Sequence, residues 1–315
     1  MARYVVRRLL QAVAMVFVVA TIVALAIHAV PGDPVYVILG EEQVTEARVE
    51  AVRDELGLNR PIHEQYFEWL GNIARGDPGN SLISGRPIRD DLILRIPRTL
   101  ELGLSSLIIS IIIGIPLGVI AANTRNRWPD IFITSFSVLG LSIPVFVIGP
   151  LLILFFALYI GVLPTSGYVP FGEDPLRHLS RLALPAISLG ILSAATIIRM
   201  TRSSMLEVLG EDYVRTARAK GVTQRSVLMV HALRNALIPV VAIIGLQMGT
   251  LLGSSVLVEQ IFNWPGVNTY LLTAINQRDY PVVQAVVLLI AIVFILINLL
   301  TDLTYAFLDP RIKYD

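Results

Sequence analysis

The sequence contains no cysteine, and of its 25 basic residues only Lys220 and Lys313 are lysines. The first absence excludes disulfides and thiolate metal sites and leaves the redox compartment open. Charge of either sign is scarce. Charged residues make up 16% of 315 and hydrophobic ones 55%, with a mean hydropathy of +0.70. That composition is too apolar for a water-soluble domain of this size. Catalytic signatures are missing as well. The four histidines (His28, His63, His178, His231) are scattered, with no HExxH spacing, and no GxSxG occurs. A phosphate-binding loop needs Gly-Lys-Ser/Thr, but Lys220 precedes Gly221 and Lys313 precedes Tyr314. If ATP is used, it must be used by another chain. An intramembrane enzyme therefore has no paired motif to rest on.

What the chain does have is long apolar runs. Six are long enough to cross a bilayer: Leu9 to Val30, Leu100 to Ala122, Ile131 to Leu163, Leu182 to Met200, Leu237 to Val258 and Val282 to Phe307. This predicts an all-α, polytopic membrane protein with six transmembrane helices and both termini on one side. In the short connections, fourteen basic residues fall on that side and three on the other. By the positive-inside rule both termini are expected in the cytoplasm. The first run could pass for a signal peptide, but its length and the five runs after it argue for an uncleaved helix. The expected organisation is residues 1–30 for the N-terminus and first helix, then 31–98 for a long extracytoplasmic loop. Residues 99–308 form a five-helix core with a cytoplasmic loop at 201–236, and 309–315 a tail. The long loop is expected to hold two amphipathic helices, one from Thr45 to Gly57 and one with Pro61 in its first turn and Ile62, Tyr66, Trp69 and Ile73 along one face. They could cap the bundle or grip a partner.

The island from Arg199 to Arg234 carries seven Lys or Arg residues between two apolar runs. Within it, Glu211 to Lys220 reads as a short helix bracketed by Gly210 and Gly221. Acidic residues occupy its first turn, and Arg218 and Lys220 its last, matching the helix dipole. Tyr213 and Ala217 lie four apart beside the basic residues, so the helix could present a docking face to another protein. An ordinary solvated loop is the alternative.

In the fifth run, Gly245, Gly249 and Gly253 form a small-xxx-small face suited to close helix contact. Gln247, Thr250 and Ser254 lie on another face, which could line a polar path or bond a neighbouring helix. Gly140, Pro144, Gly149 and Pro150 should bend the third run. Asp302 is an ionisable residue near one end of the sixth, and it supports a rival reading as an ion-coupled secondary carrier.

A set of local sequences runs along the whole chain: RRLLQ near the start, Pro31-Gly32-Asp33-Pro34, SGRP at Ser84 to Pro87, YVRTARAKG at Tyr213 to Gly221 and HALRNALIPV from His231. VEQIFNWPG from Val258, RDYPVVQ from Arg278 and NLLTDLTYAFLDPRI from Asn298 follow. In this order and spacing the chain resembles the inner-membrane permeases of bacterial dipeptide and oligopeptide ABC importers, specifically the paired permease with the long first outer loop. The resemblance implies a type I ABC importer permease fold and a coupling helix whose residues would be Glu211, Tyr213, Arg215, Ala217, Arg218 and Gly221. The family's EAA-x3-G loop is represented by Arg215-Thr216-Ala217 and Gly221. The proline of its later I-x-LP element falls on Arg234, with Pro239 further on. Also implied are a homologous second permease, cytoplasmic ATPase subunits that bind ATP and Mg, an extracytoplasmic solute-binding protein, surrounding lipid and no nucleic acid. This chain would bind no cofactor or metal and do no covalent chemistry. The implied solutes are di- or oligopeptides, glutathione, nickel chelates or oligosaccharides.

Overall fold

The computed structural model describes residues 2–26, 35, 45–55 and 59–308. Every regular element among them is helical: α1 (Ala2–Ala26), α2 (Glu46–Glu55), α3 (Ile62–Ala74), α4 (Ile88–Asn123), α5 (Trp128–Ser142), α6 (Val145–Leu152), α7 (Pro175–Leu209), α8 (Asp212–Ala219), α9 (Gln224–Ile261), α10 (Val267–Asn276) and α11 (Tyr280–Leu308). A π-helical stretch, Ile153–Tyr159, continues α6, and another, Val227–Ala232, lies inside α9. Five helices (α1, α4, α7, α9, α11) are long and apolar enough to cross a membrane, and α5 with α6 makes a sixth if that bent pair is one span. Pro31 to Pro34, His28, Gly57 and the tail at 309–315 lie outside the described residues.

The third apolar run bends by 107° between α5 and α6. Pro144 cannot donate to the carbonyl one turn back, and it pushes Ile143 into an extended conformation (φ −91°, ψ 120°). The second and fourth helices are longer than their apolar runs. Flanking charged residues hide helix that continues beyond the hydrocarbon, so α4 begins at Ile88 and α7 runs on to Leu209. Asp174 caps α7 by accepting from the Arg177 amide at 3.0 Å, with Pro175 in the first turn. In the long loop both expected helices are present. Pro61 stands just before α3 rather than inside its first turn.

The chain divides into two compact units. One comprises Met1–Arg98 with Pro265–Leu296, the other Thr99–Trp264 with Ile297–Asp315. In the first, Ile88 and Leu92 pack with Val267, Ala274, Val282 and Val286. Here Asp279, buried, accepts from the Ser81 hydroxyl at 2.5 Å and the Leu82 amide at 3.1 Å, which holds the SGRP turn. Thr21 on α1 shares a 2.9 Å hydrogen bond with Tyr66 on α3.

In the second unit α7 is the central helix, packed by α9, α5 and α6. It also lies tightly against α4. A Cβ on Gly114 would stand 2.6 Å from Ile197, and one on Gly118 would stand 2.5 Å from Thr201 and 2.9 Å from the Ile198 carbonyl. These two glycines, four apart, let the backbones meet. At the far end of α7, His178 is buried among Tyr168, Phe171 and Trp264, with its ring nitrogens 2.7 Å from the Val169 carbonyl and from Glu101.

Candidate functional site

The charged island folds as the end of α7, the short helix α8 and the start of α9. Glu211 is the residue before α8, with extended backbone (φ −68°, ψ 148°), and its carbonyl accepts from the Val214 amide at 3.1 Å and Arg215 at 3.2 Å. Asp212 lies in the first turn and Arg218 in the last, each at the favourable end of the dipole. The helix stops in a Schellman motif. The Val222 amide reaches back to the Ala217 carbonyl at 3.2 Å and the Gly221 amide to Arg218 at 3.0 Å, while Gly221 takes φ +78°. A Cβ at Gly221 would meet nothing within 4 Å, so glycine is needed there for conformation and not for space. Gly210, with φ −82°, has no such need.

The two faces of α8 differ sharply. Val214 and Ala217 are buried, and the helix packs on α7 and on the π-helical stretch of α9. The sequence places Ala217 on the docking face, but the structure turns it inward beside Val214; by these two residues the helix packs on the protein, while Ala219 stays exposed. The outward side carries the charges of Asp212, Arg215, Arg218 and Lys220, with Tyr213, Thr216 and Ala219 also exposed. Arg215 and Asp212 pair at 3.3 Å with both side chains exposed, which is worth little in water. Tyr213 is 43% exposed, yet its hydroxyl is used within the chain. It accepts from the Asn235 amide at 2.7 Å and donates to the His231 carbonyl at 3.3 Å.

Sequence reasoning misses Asp130 and its partner. Asp130 is buried on α5 near Trp128 and takes the guanidinium of Arg202 on α7 in a two-point grip, Nε at 2.6 Å and Nη2 at 2.9 Å. The Asn126 amide (2.9 Å) and the Thr134 hydroxyl (3.2 Å) also donate to it. Just beyond α8, Gln224 donates to the Asn123 side chain at 3.1 Å. An Arg beyond the apolar run of a helix and an Asp in the first turn of another are the only sequence signals of this pair.

On α9 the glycine face is used unevenly. A Cβ at Gly245 would collide with Thr301 of α11, Gly249 is buried, and Gly253 is exposed with open space beside it. Thr250 and Ser254 are exposed and Gln247 is half-buried. Thr250 donates to the Gln247 carbonyl at 2.9 Å and Ser254 to the Leu251 carbonyl at 3.4 Å, so both hydroxyls bond within their own helix. At the end of the same helix Glu259 is fully buried and accepts from Thr99 at 2.7 Å. Asp302 is half-buried on α11. Among the described residues no cluster of three or more His, Asp or Glu could hold a metal ion.

Residues 114–314 match the family described as binding-protein-dependent transport system inner membrane component, and residues 1–103 match the N-terminal region of the same kind of membrane component. The chain belongs to this family of inner-membrane ABC importer permeases. Glutathione transport system permease protein GsiC of Escherichia coli strain K12 is 44% identical over 314 residues, spanning 100% of both chains. The protein of the same name from Shigella dysenteriae serotype 1 matches to the same extent. Among solved structures, two inward-facing forms of the MetNI methionine ABC transporter align with a TM-score of 0.58 at 21% and 22% identity. They cover 70% and 69% of this chain and 96% of the other. At that identity the likeness concerns the fold, which is that of a type I ABC importer permease. Membership of an importer family also decides against the ion-coupled carrier built on Asp302.

Proposed function

We propose that this permease carries glutathione or a peptide of similar size into the cell, as half of a pathway completed by a homologous second permease. A cytoplasmic ATPase, itself holding ATP and Mg, would dock on the outward face of α8, and an extracytoplasmic binding protein would deliver the solute. Full-length identity of 44% to glutathione permeases supports the solute class. The observation that carries the coupling reading is the construction of α8. Its inner face is buried, its outer face carries the helix's charges, and its end is fixed by the Schellman turn at Gly221. The open polar face of Gln247, Thr250 and Ser254 suits a solute rich in amide and carboxylate groups. Alternating access then follows. Closure of the ATPase moves α8, and the spans joined to it swing between inward- and outward-open arrangements.

Orientation is tested with single cysteines, which the sequence permits because it has none. An impermeant thiol reagent applied to intact cells should label a cysteine at Asn59 and leave one at Thr223 untouched. The reverse pattern would remove α8 from the cytoplasm. Coupling is tested by Gly221→Val, since a β-branched residue tolerates positive φ poorly. In proteoliposomes holding the whole importer, uptake of labelled glutathione should fall about tenfold or more while the ATPase dissociates or hydrolyses ATP without transport. Wild-type uptake by this variant would end the coupling reading. Uptake of other short peptides in preference to glutathione would revise only the solute.

A further inference from the structure

We propose that Asp130 is a positioning residue that, together with Asn123, fastens the coupling loop on both its sides to the turn joining α4 and α5. The proposal rests on the coupling reading of α8 and concerns how its motion is distributed. Arg202 sits on the last turns of α7, whose end at Leu209 leads through Gly210 and Glu211 into α8. On leaving α8 the chain turns at Gly221 and reaches Gln224. The first of these flanking residues is gripped by Asp130 and the second is bonded to Asn123. The segment containing α8 is therefore tied before and after itself to one and the same turn.

The chemistry of the first tie is that of a fixture. A guanidinium meeting a carboxylate through two N–H groups sets orientation as well as distance, which a lysine cannot do. Both oxygens of Asp130 have a further donor, Thr134 on one and the Asn126 amide on the other. Asn126 takes φ +61°, a conformation uncommon outside glycine, and its amide in that pose is held by the same carboxylate. One side chain thus sets the shape of the turn and the position of the last turns of α7. An ion pair buried on its carboxylate side is a poor device for stability alone, since apolar residues of similar volume often do as well. Here it joins helices that would otherwise be linked at this end only by packing. A displacement of α8 is delivered through it to α4 and α5, in addition to α7 and α9, which adjoin α8 in the chain.

The test uses the assembled importer in proteoliposomes, measuring labelled-glutathione uptake and binding-protein-stimulated ATP hydrolysis in parallel. Asp130→Asn keeps the shape and removes the charge. It should lower uptake per ATP hydrolysed by roughly two- to thirtyfold, the range for residues along a coupling network. Arg202→Lys, which keeps the charge and loses the fork, should fall between this variant and wild type. Gln224→Ala should show a smaller loss in the same direction. If uptake and hydrolysis fall in equal proportion, or the ratio is unchanged in Asp130→Asn, the pair only supports the fold and the proposal fails. If Asp130→Asn does not assemble, Arg202→Lys and the exposed Gln224→Ala decide in its place, and wild-type ratios in both overturn the proposal. Gly221→Val run alongside separates the two readings. Uncoupling by Gly221→Val with none from the clamp variants rejects the clamp alone, whereas no uncoupling by Gly221→Val rejects the coupling reading beneath it.

Discussion

The first and fourth membrane helices are both long and apolar, yet they have opposite fates. In α7, 67% of the apolar stretch is buried, and in α1 only 11%. The buried helix is the less apolar of the two. It is rich in small and hydroxylated residues, with Ala186, Ser188, Gly190, Ser193, Ala194, Ala195, Thr201 and Ser204 all buried. By contrast α1 exposes Leu10, Val13, Phe17 and Ile22. Where lipid is as apolar as leucine, burying a leucine gains little, and helices associate through close backbone approach and matched surfaces. Between these two helices, then, the one that intersperses serines and a glycine among its leucines and isoleucines is the one that packs inside, and the one with neither serine nor glycine stays largely exposed.

Substitutions should fall along that contrast. The largest effect is expected from Gly118→Leu, because a Cβ there already meets Thr201 and the Ile198 carbonyl of α7. Overpacking of this kind costs about 1–3 kcal/mol or more, and the variant should show a lowered Tm in detergent and a reduced folded yield. If it behaves as wild type, α4 and α7 do not meet as described. Thr201→Val tests the same contact from the other side. The Thr201 hydroxyl is buried and has no hydrogen-bond partner in this structure. Replacing it with a methyl of like shape should be neutral or raise stability by up to about 1 kcal/mol, read as a small upward shift in Tm. A clear loss of stability would mean that the hydroxyl has a bonding role. Leu10→Ala on α1, where the leucine is 66% exposed, should change stability by no more than about 0.5 kcal/mol. A loss comparable to that of Gly118→Leu would break the contrast between the two helices.

Much of this architecture is legible in the chain itself, since apolar length places the spans and proline at 144 places the bend. The short helix α8 is legible too, because its dipole-matched charges and its terminal glycine are local signals, and Gly221 has the positive φ that its position implies. The inward turn of Ala217 is not legible, because which face of an eight-residue helix packs depends on what lies beneath it. Nor is the pairing of Asp130 with Arg202, since residues so distant in sequence meet only through the packing of α5 on α7. The small-xxx-small pattern misleads in part. It occurs at Gly245, Gly249 and Gly253 and also at Gly114 and Gly118, but tight contact runs along the whole of the second pair, whereas in the first set Gly245 is tight and Gly253 meets nothing.

The corner at Pro144 constrains what stands beside it in the bilayer. Trp128, 82% exposed, and the arginines before it mark where α5 leaves water. Fifteen helical residues rise only about 22 Å, short of the ~30 Å hydrocarbon thickness. The corner therefore falls at hydrocarbon depth, and with it the carbonyl of Gly140, whose donor Pro144 cannot supply. A bare carbonyl at that depth is tolerated only against protein or water. Gly140 is buried and faces Ala195 and Ile191 of α7, so protein, and not the surrounding lipid, lines the notch in the third span.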